Sequence, residues 1–363
     1  MCETQKLGTG ELKAMANMKQ IAKVAGVSLG TVSNVLNGSV VVRESTRNKV
    51  MAAVEAAGYQ PSQLARGLRR DKTNMIGMVL PDITNPFFPA VVRGAQDVAF
   101  AHGYQLILCN TDNDPNTEIA HLDALRTYLP SGLIVIPSSL SKLTAKAEAY
   151  VKSGMAVVCV DRLPSDWKGD TVTSDNEKGA YEATIHLLDQ GHTQLAMIAG
   201  PRQFANVHDR LVGFKRAARE RRIHVGAAYM QEATFDQHSG YEKAMELLRL
   251  SPRPTAILAG NDMIAFGALR AIHESGLRCP EQISLVGFDN LDLAETMSPP
   301  LSSVSQPGYR MGTTAATLLI DRVRNSSGEV RHVVLETSLE MRGSVAPPEG
   351  KAAPRKRAAR TGR

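Results

Sequence analysis

The spacing of apolar and polar residues divides the chain into a short helical part and a longer part in which strands and helices alternate. The run MKQIAKVAGVSLGTVSNVLNG, which begins at Met18, contains two stretches of helical spacing around a turn at residues 25–27. The apolar positions of these two predicted helices are Ile21, Ala22, Val24, Ala25, Val32, Val35 and Leu36. Each helix therefore has an apolar stripe that a neighbouring element must cover.

Capping residues support these two helices and a third. Asn17 and Ser28 precede the first two helices, where their side chains can accept a hydrogen bond from a backbone N–H. A third helix is predicted over residues 45–57, with Ser45 and Thr46 as its capping residues. Two helices joined by a turn of about three or four residues form a helix-turn-helix, a unit whose second helix lies in the DNA major groove.

From Met75 onward, short apolar runs alternate with amphipathic stretches. The predicted strands are Met75–Leu80, Gln105–Cys109, Leu133–Ile136, Val157–Val160, Leu195–Ala199, Ala256–Leu258 and Ser284–Gly287. The predicted helices lie near Pro89–Ala101, Glu118–Tyr128, Leu143–Val151, Lys178–Gln190, Val207–Arg221, Tyr241–Leu250 and Met263–Glu274. This alternation indicates parallel sheets that are covered on both faces. Since the strands are too many for one core, we predict an all-α head followed by an α/β core of two doubly wound lobes, with a ligand beyond the carboxyl ends of the strands.

These patterns divide the chain into five predicted segments. The segments are a disordered leader (1–17), the helix-turn-helix head (18–60), a hinge helix and linker (61–72), a two-lobed core (73–346) and a disordered basic tail (347–363). Lobe 1 is predicted to contain about residues 73–174 and 293–320, and lobe 2 about residues 175–290 and 321–346. Met1 and Met18 both remain open as the start of translation.

The formal net charge of +6 is distributed unevenly along the chain. Residues 18–72 contain nine Lys and Arg against three Asp and Glu, and residues 351–363 contain six Lys and Arg and no acid. The body between them, residues 73–350, therefore has a net charge of −6. Basic ends around an acidic body favour a polyanionic partner for the head and argue against a protein that coats nucleic acid over its whole surface.

Several classes of protein find no support in the sequence. The four cysteines stand far apart without a Cys-x-x-Cys pair or a His cluster, so neither a metal site nor a disulfide is predicted, and we expect no cofactor. No apolar run approaches the roughly 20 residues that span a membrane, and the N-terminus lacks a signal-peptide pattern. We therefore expect a cytoplasmic protein, associated with the nucleoid when it is bound to DNA.

One catalytic motif occurs, in the wrong context. Residues 26–30, GVSLG, match the G-x-S-x-G nucleophile elbow of serine hydrolases, with Ser28 as the nucleophile. That elbow needs a preceding strand, whereas the preceding residues have helical spacing. The interpretation we favour is a turn and helix cap, and we predict that the chain is not an enzyme.

Three motifs in this order resemble the lactose/galactose-repressor (LacI/GalR) family. The motifs are AGVSLGTVSNVLNG, ARGLRRDKTNMIGMVLPDITNPFF and VGFDN, and the likeness covers roughly residues 17–346. The resemblance implies a helix-turn-helix head, a hinge helix and a core like that of periplasmic sugar-binding proteins. It also implies a homodimer that binds pseudo-palindromic operator DNA and responds to a small effector.

The resemblance implies base contacts from Leu29, Gly30 and Asn34 on the second helix. Leu29 and Gly30 depart from the usual polar residues, since neither can form a bidentate hydrogen bond to a base. Leu29 can contact a thymine methyl or, alternatively, pack within the head, and Asn34 can bond adenine. The residues that we expect at phosphates, where they fix the register of the protein on DNA, are Thr31, Ser33 and Asn37.

In the hinge, the resemblance implies that Leu68 is an apolar wedge in the minor groove, the alternative being a leucine that packs under the core. Gly67 stands where a better helix former is common in the family, and glycine costs about 1 kcal/mol in a helix relative to alanine. We therefore expect a hinge that depends on DNA for its order, and a Gly67→Ala variant that binds its operator more tightly.

The resemblance also implies an effector site between the lobes. Its predicted residues are Phe87 and Phe88 on lobe 1, Asn206, Arg210, Phe235, Asn261 and Asp289 on lobe 2, and Arg162, beside Asp161, near the first crossover. Aromatic faces with a few Asp, Asn and Arg side chains suit a polyol, while Arg162 with Arg210 favours a carboxylate, as in a sugar acid. The alternative for some of these residues, Asn206 and Phe88 above all, is a lobe-bridging or capping role.

We predict a sequence-specific transcription regulator, a repressor whose operator binding is controlled by a sugar or sugar acid held between the lobes. The alternative is a sugar-binding protein of the periplasmic type without a regulatory role, against which the basic head and the missing signal pattern argue. The residues leave open the identity of the effector, the operator sequence and target genes, the role of the basic tail, and whether the effector induces or co-represses.

Overall fold

The computed structural model describes residues 17–37, 41–58, 73–138, 149–164 and 167–350. The chain forms two compact units, Met1–Thr73 and Asn74–Arg363. The predictions for most of the leader, the hinge with Gly67 and Leu68, most of the tail and most of the helix near residues 143–151 lie outside the described residues. Within the described part, none of the helices is both long and apolar enough to cross a membrane.

The first unit is a small helical domain with its own apolar core. Its helices are α1 (Met18–Ala25), α2 (Leu29–Asn37) and α3 (Glu44–Ala56). Its core consists of Ile21, Ala22, Val32, Val35, Val50 and Ala53. The predicted stripes of α1 and α2 therefore meet each other and α3, although Val24, which we placed on the stripe, is 70% exposed.

The predicted caps of the first two helices are present, and those of the third are not. Asn17 accepts a hydrogen bond from the Gln20 backbone N–H while the Gln20 side chain accepts one from Asn17, a reciprocal capping box. Ser28 Oγ accepts a hydrogen bond from the Thr31 N–H at 3.1 Å. In contrast, α3 begins at Glu44, so Ser45 lies inside the helix, and its N-cap residue has no side-chain hydrogen bond.

The second unit contains two six-stranded sheets, as the alternation of strands and helices predicted. The strands are β1 (Met75–Leu80), β2 (Gln105–Asn110), β3 (Gly132–Val135), β4 (Ala156–Val160), β5 (Asp170–Ser174), β6 (Leu195–Ala199), β7 (Met230–Glu232), β8 (Ala256–Ala259), β9 (Ser284–Asp289), β10 (Ser302–Ser305), β11 (His332–Leu335) and β12 (Ser338–Glu340). Sheet 1 has the order β11-β5-β4-β3-β1-β2, and sheet 2 the order β12-β10-β9-β8-β6-β7. All neighbours are parallel except β10 and β12.

This strand order corrects the predicted lobe boundaries. We placed residues 293–320 in lobe 1, but β10 pairs with β9 in sheet 2. We placed residues 321–346 in lobe 2, but β11 pairs with β5 in sheet 1. The prediction contained three crossovers, as the structure does, but placed the second and third too early: the chain returns to lobe 1 after β10 and leaves it again after β11, two strands that were not predicted.

Helices cover the sheets in tightly packed pairs. The helices of the core are α4 (Phe87–Ala101), α5 (Pro115–Thr127), α6 (Asn176–Asp189), α7 (Ala205–Glu220), α8 (Gln237–Leu248), α9 (Asp262–Glu274), α10 (Leu293–Thr296) and α11 (Gly308–Arg324). The pairs with the closest packing are α4 with α11, α6 with α7, and α8 with α9. Alternate residues of sheet 1 face different helices: Ile76 and Met78 lie in the cluster with α4 and α11, and Val79 and Leu133 in the cluster with α5.

The three crossover segments lie side by side and are hydrogen bonded to one another. The Asp175 N–H at the end of β5 donates to the Leu335 carbonyl at 2.9 Å. Thr337 Oγ1, at the third crossover, donates to the Asp175 carbonyl at 3.2 Å. Ser174 Oγ donates to Gln306 Oε1 at the second crossover. The lobes are therefore joined by three crossover segments that are hydrogen bonded to one another. We call them the interlobe hinge, as distinct from the predicted hinge helix at residues 61–72.

Candidate functional site

The carboxyl ends of the strands of both sheets face a cleft between the lobes, the place where open parallel sheets bind ligands. The outer part of the cleft is a cavity of about 370 Å³. It is lined by Asp82, Asn85, Phe88, Asn113, Ser138 and Arg162 of lobe 1 and by Pro201, Gln203, Phe204, Thr234, Phe235 and Asp236 of lobe 2. Its volume lies within the range of small-molecule sites.

The floor of the cleft is narrow, with a volume of about 20 Å³. Every effector residue predicted from the sequence lies there: Phe87, Phe88, Arg162, Asn206, Arg210, Phe235, Asn261 and Asp289. Three of them, Phe88, Arg162 and Phe235, also line the outer cavity. The structure thus brings the predicted set together, but it places most of the set beneath the open space.

Arg162 joins the floor to the cavity. Its side chain is buried, and its guanidinium carbon lies 5.7 Å from the centre of the Phe88 ring, 4.5 Å from that of Phe204 and 4.8 Å from that of Phe235. Burial lowers the pKa of Arg162 to about 10. The side chain therefore carries its charge across the cleft from lobe 1 onto two aromatic rings of lobe 2.

A second interlobe contact lies beside it. Asn206, near the start of α7, donates from Nδ2 to both carboxylate oxygens of Asp161 at 3.2 Å. Its own Oδ1 accepts a hydrogen bond from the Val207 N–H at 2.9 Å. Both Asp161 and Asn206 are buried. The bridging role left open for Asn206 is therefore the one that the structure contains.

The Arg210 side chain is fixed by contacts with residues of lobe 2. Its Nε donates to Asn176 Oδ1 at 2.8 Å, and its Nη1 donates to the Gly260 carbonyl. Its guanidinium carbon lies 3.8 Å from the centre of the Phe288 ring. Burial lowers the pKa of Arg210, while nearby Asp289 opposes that shift. The arginine is thus fixed within the floor by its own neighbours.

Asp289 connects the floor of the cleft to the second crossover between the lobes. Its φ of 114° is a backbone conformation that residues other than glycine rarely adopt. Gln306 donates a hydrogen bond from Nε2 to Asp289 Oδ1 at 2.6 Å, and its Oε1 accepts a hydrogen bond from the Ser174 hydroxyl. Burial raises the pKa of Asp289 well above its usual range. A ligand that changes the charge or position of Asp289 therefore acts directly on the second crossover.

Asn261 has the capping role that the sequence analysis left open for some residues of the predicted effector set. Its side chain accepts a hydrogen bond from the Ile264 N–H at 2.9 Å and so caps α9. The next residue, Asp262, is fully buried and accepts hydrogen bonds from the Leu291 N–H and from Ser303 Oγ. Burial raises the pKa of Asp262 to about 7. These contacts hold the strand ends of lobe 2 that carry the floor.

Sequence reasoning missed most of the residues around the open cavity. The missed lining residues are Asp82, Asn85, Asn113, Ser138, Pro201, Gln203, Phe204, Thr234 and Asp236. All lie in the loops that follow β1, β2, β3, β6 and β7. Their position directly after a strand is a signal that was available, because such loops meet at one edge of a parallel sheet.

The candidate DNA-binding residues lie along α2. Leu29 is 42% exposed and outside the apolar core of the head, so it does not pack in that core. Gly30 is also exposed, and Ser33 and Asn34 are half-buried. The Thr31 hydroxyl lies 2.9 Å from Ser28 Oγ, within the helix cap. The Asn37 side chain and Leu68 lie outside what the structure describes.

Known protein families match parts of both structural units. Residues 17–62 match the family described as bacterial regulatory proteins, lacI family, and residues 184–345 match the periplasmic binding protein-like domain. The HTH-type transcriptional repressor PurR of Photobacterium profundum is 36% identical over 331 residues, which cover 91% of this chain and 99% of that protein.

Two solved structures extend the likeness to the fold. The lac repressor dimer bound to operator and the anti-inducer ONPF has a TM-score of 0.81 and 27% identity, covering 91% of this chain and 99% of that one. A regulator from Enterococcus faecium with bound ribose has a TM-score of 0.68 and 34% identity, covering 75% of this chain and 99% of that one. The chain belongs to the LacI family of bacterial DNA-binding transcriptional repressors.

Proposed function

We propose that this repressor binds a pseudo-palindromic operator as a homodimer in the cytoplasm, and that a sugar or sugar acid held between its lobes controls the binding. The observation that carries the proposal is the cavity of about 370 Å³ whose walls come from both lobes of a chain with a helix-turn-helix head. A ligand that touches both lobes can bind one lobe arrangement better than another, which is what control requires.

The lining favours a polyhydroxylated ligand. Phe88, Phe204 and Phe235 line the cavity, and such aromatic walls suit the C–H faces of a sugar ring. The remaining lining residues are largely hydrogen-bonding groups, which suit hydroxyls: Asp82, Asn85, Asn113, Ser138, Gln203, Thr234 and Asp236. The ribose held by the Enterococcus faecium regulator supports the same ligand class.

The interlobe contacts supply the switch in this proposal. The lobes are joined through Asp161–Asn206 and through the rings around Arg162. A ligand in the cavity competes with these contacts or adds to them. Because Asp289 and Gln306 connect the floor to the crossover segments, the change reaches the hinge between the lobes.

On DNA, the proposed base contacts are Leu29 with a thymine methyl and Asn34 with adenine. The polar residues Thr31, Ser33 and Asn37 are proposed to contact phosphates, and Leu68 to enter the minor groove. Two heads related by the twofold axis of a dimer would then contact two half-sites about one helical turn, or a multiple of it, apart.

Fluorescence anisotropy with DNA from upstream of the chain's own gene tests the regulatory proposal. We expect specific binding that a member of a panel of sugars, sugar acids and purine bases strengthens or weakens. The sign of that change distinguishes co-repression from induction. Failure to bind DNA specifically, together with stabilisation by a sugar, would replace the regulator by a plain sugar-binding protein.

Thermal unfolding of the full chain with the same panel tests the ligand class, since a ligand that binds only the folded state raises Tm by mass action. We expect sugars or sugar acids to raise Tm. A rise with purine bases alone would contradict the proposed class and leave the repressor assignment standing.

A further inference from the structure

Arg162 forms no ion pair with the described residues, and its Nε has no hydrogen-bond partner among them, which points to the chemistry of the ligand. We infer that the effector is an anionic sugar derivative and that the Arg162 guanidinium binds its negative group. This inference rests on the proposed function, because it assumes that the effector occupies the interlobe cavity.

The hydrogen bonds of Arg162 use only part of its donor set. Nη1 donates to Asn113 Oδ1 at 3.0 Å and lies 3.5 Å from the Pro137 carbonyl oxygen. Nε is buried and has no hydrogen-bond partner among the described residues. A guanidinium carries five N–H donors, and leaving them buried and unbonded is costly. An acceptor that binds in the cavity and draws the guanidinium toward it would satisfy them.

The charge has no ion-pair partner in direct contact among the described residues either, although Asp161, Glu118 and Asp289 favour the charged form from a greater distance. Within the described part of the chain, the ion pairs of the structure do not include Arg162. The carboxylate of the adjacent Asp161 receives its hydrogen bonds from Asn206. The side chain is only 2% exposed, so water screens the charge weakly. The lowered pKa of Arg162 expresses the same desolvation.

The two buried arginines of the cleft differ in this respect. Arg210 donates hydrogen bonds from Nε to Asn176 and from Nη1 to the Gly260 carbonyl. Of the two parts of the cleft, it lines only the narrow floor. Arg162 lines the open cavity as well as the floor. Of the two residues that suggested a carboxylate from the sequence, Arg162 is therefore the one placed to meet the ligand.

The acidic residues at the cavity set the orientation of the ligand. Asp82 accepts hydrogen bonds from the Thr84 N–H and hydroxyl, and Asp236 caps α8 by accepting from the Ser239 N–H. Both carboxylates line the cavity, where they repel a second anion and accept hydrogen bonds from hydroxyls. A sugar derivative would thus point its anionic group at Arg162 and its hydroxyls at these two loops.

A carboxylate and a phosphate ester both supply such an anion, and a panel of matched compounds separates them. Isothermal titration of the full chain would compare D-gluconate and D-glucuronate with D-glucose and with D-glucose 6-phosphate. We expect one of the anionic groups, carboxylate or phosphate, to bind at least about tenfold more tightly than D-glucose, the size of a charge-assisted hydrogen bond. Equal or tighter binding of D-glucose would overturn the inference while leaving a sugar-controlled repressor in place.

Substitution of Arg162 tests the residue itself. In Arg162→Gln, the preference for the anion over D-glucose is expected to fall to about one, and Arg162→Lys, which keeps the charge but not the fork, should retain part of it. Arg202→Gln is the matched control, because Arg202 is exposed and pairs with Glu232 beside the cavity. An unchanged preference in a folded Arg162→Gln, confirmed by its thermal unfolding, would contradict the assignment. Failure of all four compounds together with absent DNA binding would instead count against the proposed function.

Discussion

Asp161 and Asn206 form a buried hydrogen bond between the lobes, and its loss should be measurable in the absence of ligand. Asn206→Ala removes both donations to the Asp161 carboxylate and leaves a buried charge without a donor. We expect the free energy of unfolding to fall by about 2 kcal/mol, as determined by urea denaturation.

The control for this prediction is the same substitution in an Asp161→Asn background. The neutral amide leaves no stranded charge, so Asn206→Ala should cost less there, with a coupling energy of about 1 kcal/mol. Asparagine also tolerates the positive φ of residue 161. Equal costs in the two backgrounds would show that the contact does not join the lobes energetically.

Asp170 is the buried partner of Arg322 and Arg331 at the start of β5. Arg322 donates to both of its carboxylate oxygens, from Nη2 at 2.8 Å and from Nε at 3.0 Å. The Arg331 N–H donates to Oδ1 at 2.9 Å. Burial alone would raise the pKa of Asp170, but these hydrogen bonds outweigh burial and hold the pKa below its usual range. The carboxylate therefore stabilises the fold in its charged form.

Asp170→Asn should lower the free energy of unfolding by about 3 kcal/mol at neutral pH, because it strands two arginines around a neutral group. A depressed pKa in the folded state stabilises above the unfolded pKa, and this contribution is lost as the pH falls. The difference between the native protein and the variant should therefore shrink below about pH 4. Chemical denaturation across pH measures it. Asp321→Asn, which removes an exposed partner of Arg331, should change little at any pH.

Single residues also show what sequence reasoning can and cannot find in the site. Asp289 was predictable because it lies in the motif VGFDN, just after a predicted strand, whereas Arg210 and Phe235 were found only through the resemblance to the family. Phe204 and Asn113 also follow predicted strands, but their contacts with Arg162 depend on where that side chain extends across the cleft. The position of the Arg162 side chain depends on how the two lobes face each other, and the local sequence of either lobe does not reveal that arrangement.

At the scale of elements, glycines allow the helix pairs to approach closely. A Cβ at Gly267 on α9 would overlap the carbonyl oxygen of Gln237 on α8, and Gly213 on α7 and Gly312 on α11 meet backbone of their neighbours in the same way. Backbone cannot yield as a flexible side chain does. The glycines thus fix the distance between paired helices, at the expense of helix propensity.

Gly267→Ala should therefore lower the free energy of unfolding by about 2 kcal/mol or more, despite the better helix propensity of alanine. Gly226→Ala is the control in the same lobe, since a Cβ there meets only the Tyr229 side chain at an ordinary 3.7 Å. Urea denaturation of both variants checks the prediction. A stability of Gly267→Ala equal to that of the control would mean that the helices can separate at little cost.

These elements also explain which parts of the fold the sequence predicted. The seven predicted strands, β1 to β4, β6, β8 and β9, were found with nearly correct bounds, whereas β5, β7, β10, β11 and β12 were missed. The strand β10, with the sequence SSVS, was missed because its buried serines are satisfied by hydrogen bonds, as Ser303 is by Asp262. The longest helix of the core, α11, was missed because it contains Gly308, Gly312 and three threonines, which lower helix propensity. Its glycines are explained by the close packing of α11 against α4, where Gly312 lies against the Val91 carbonyl.

At the scale of the whole molecule, the distribution of charge separates the two binding reactions. The segment of residues 18–72 has three times as many basic as acidic residues, whereas residues 73–350, which contain the cavity, have a net negative charge. DNA binding releases counterions from the phosphates and so weakens steeply with salt. The proposed contact between the effector and Arg162 is buried, and salt screens buried charges much less.

The same protein should therefore give two different salt dependences. Between about 50 and 200 mM salt, operator affinity measured by anisotropy is expected to fall about a thousandfold or more. The affinity for an anionic sugar, measured by titration calorimetry in the same buffers, should change by only about twofold to threefold, because Arg162 is buried and salt screens buried charges much less. A steep salt dependence of both reactions would place the effector at the exposed basic surface instead of in the cleft. A shallow dependence of both would mean that phosphate contacts contribute little to operator binding, contrary to the basic composition of the head.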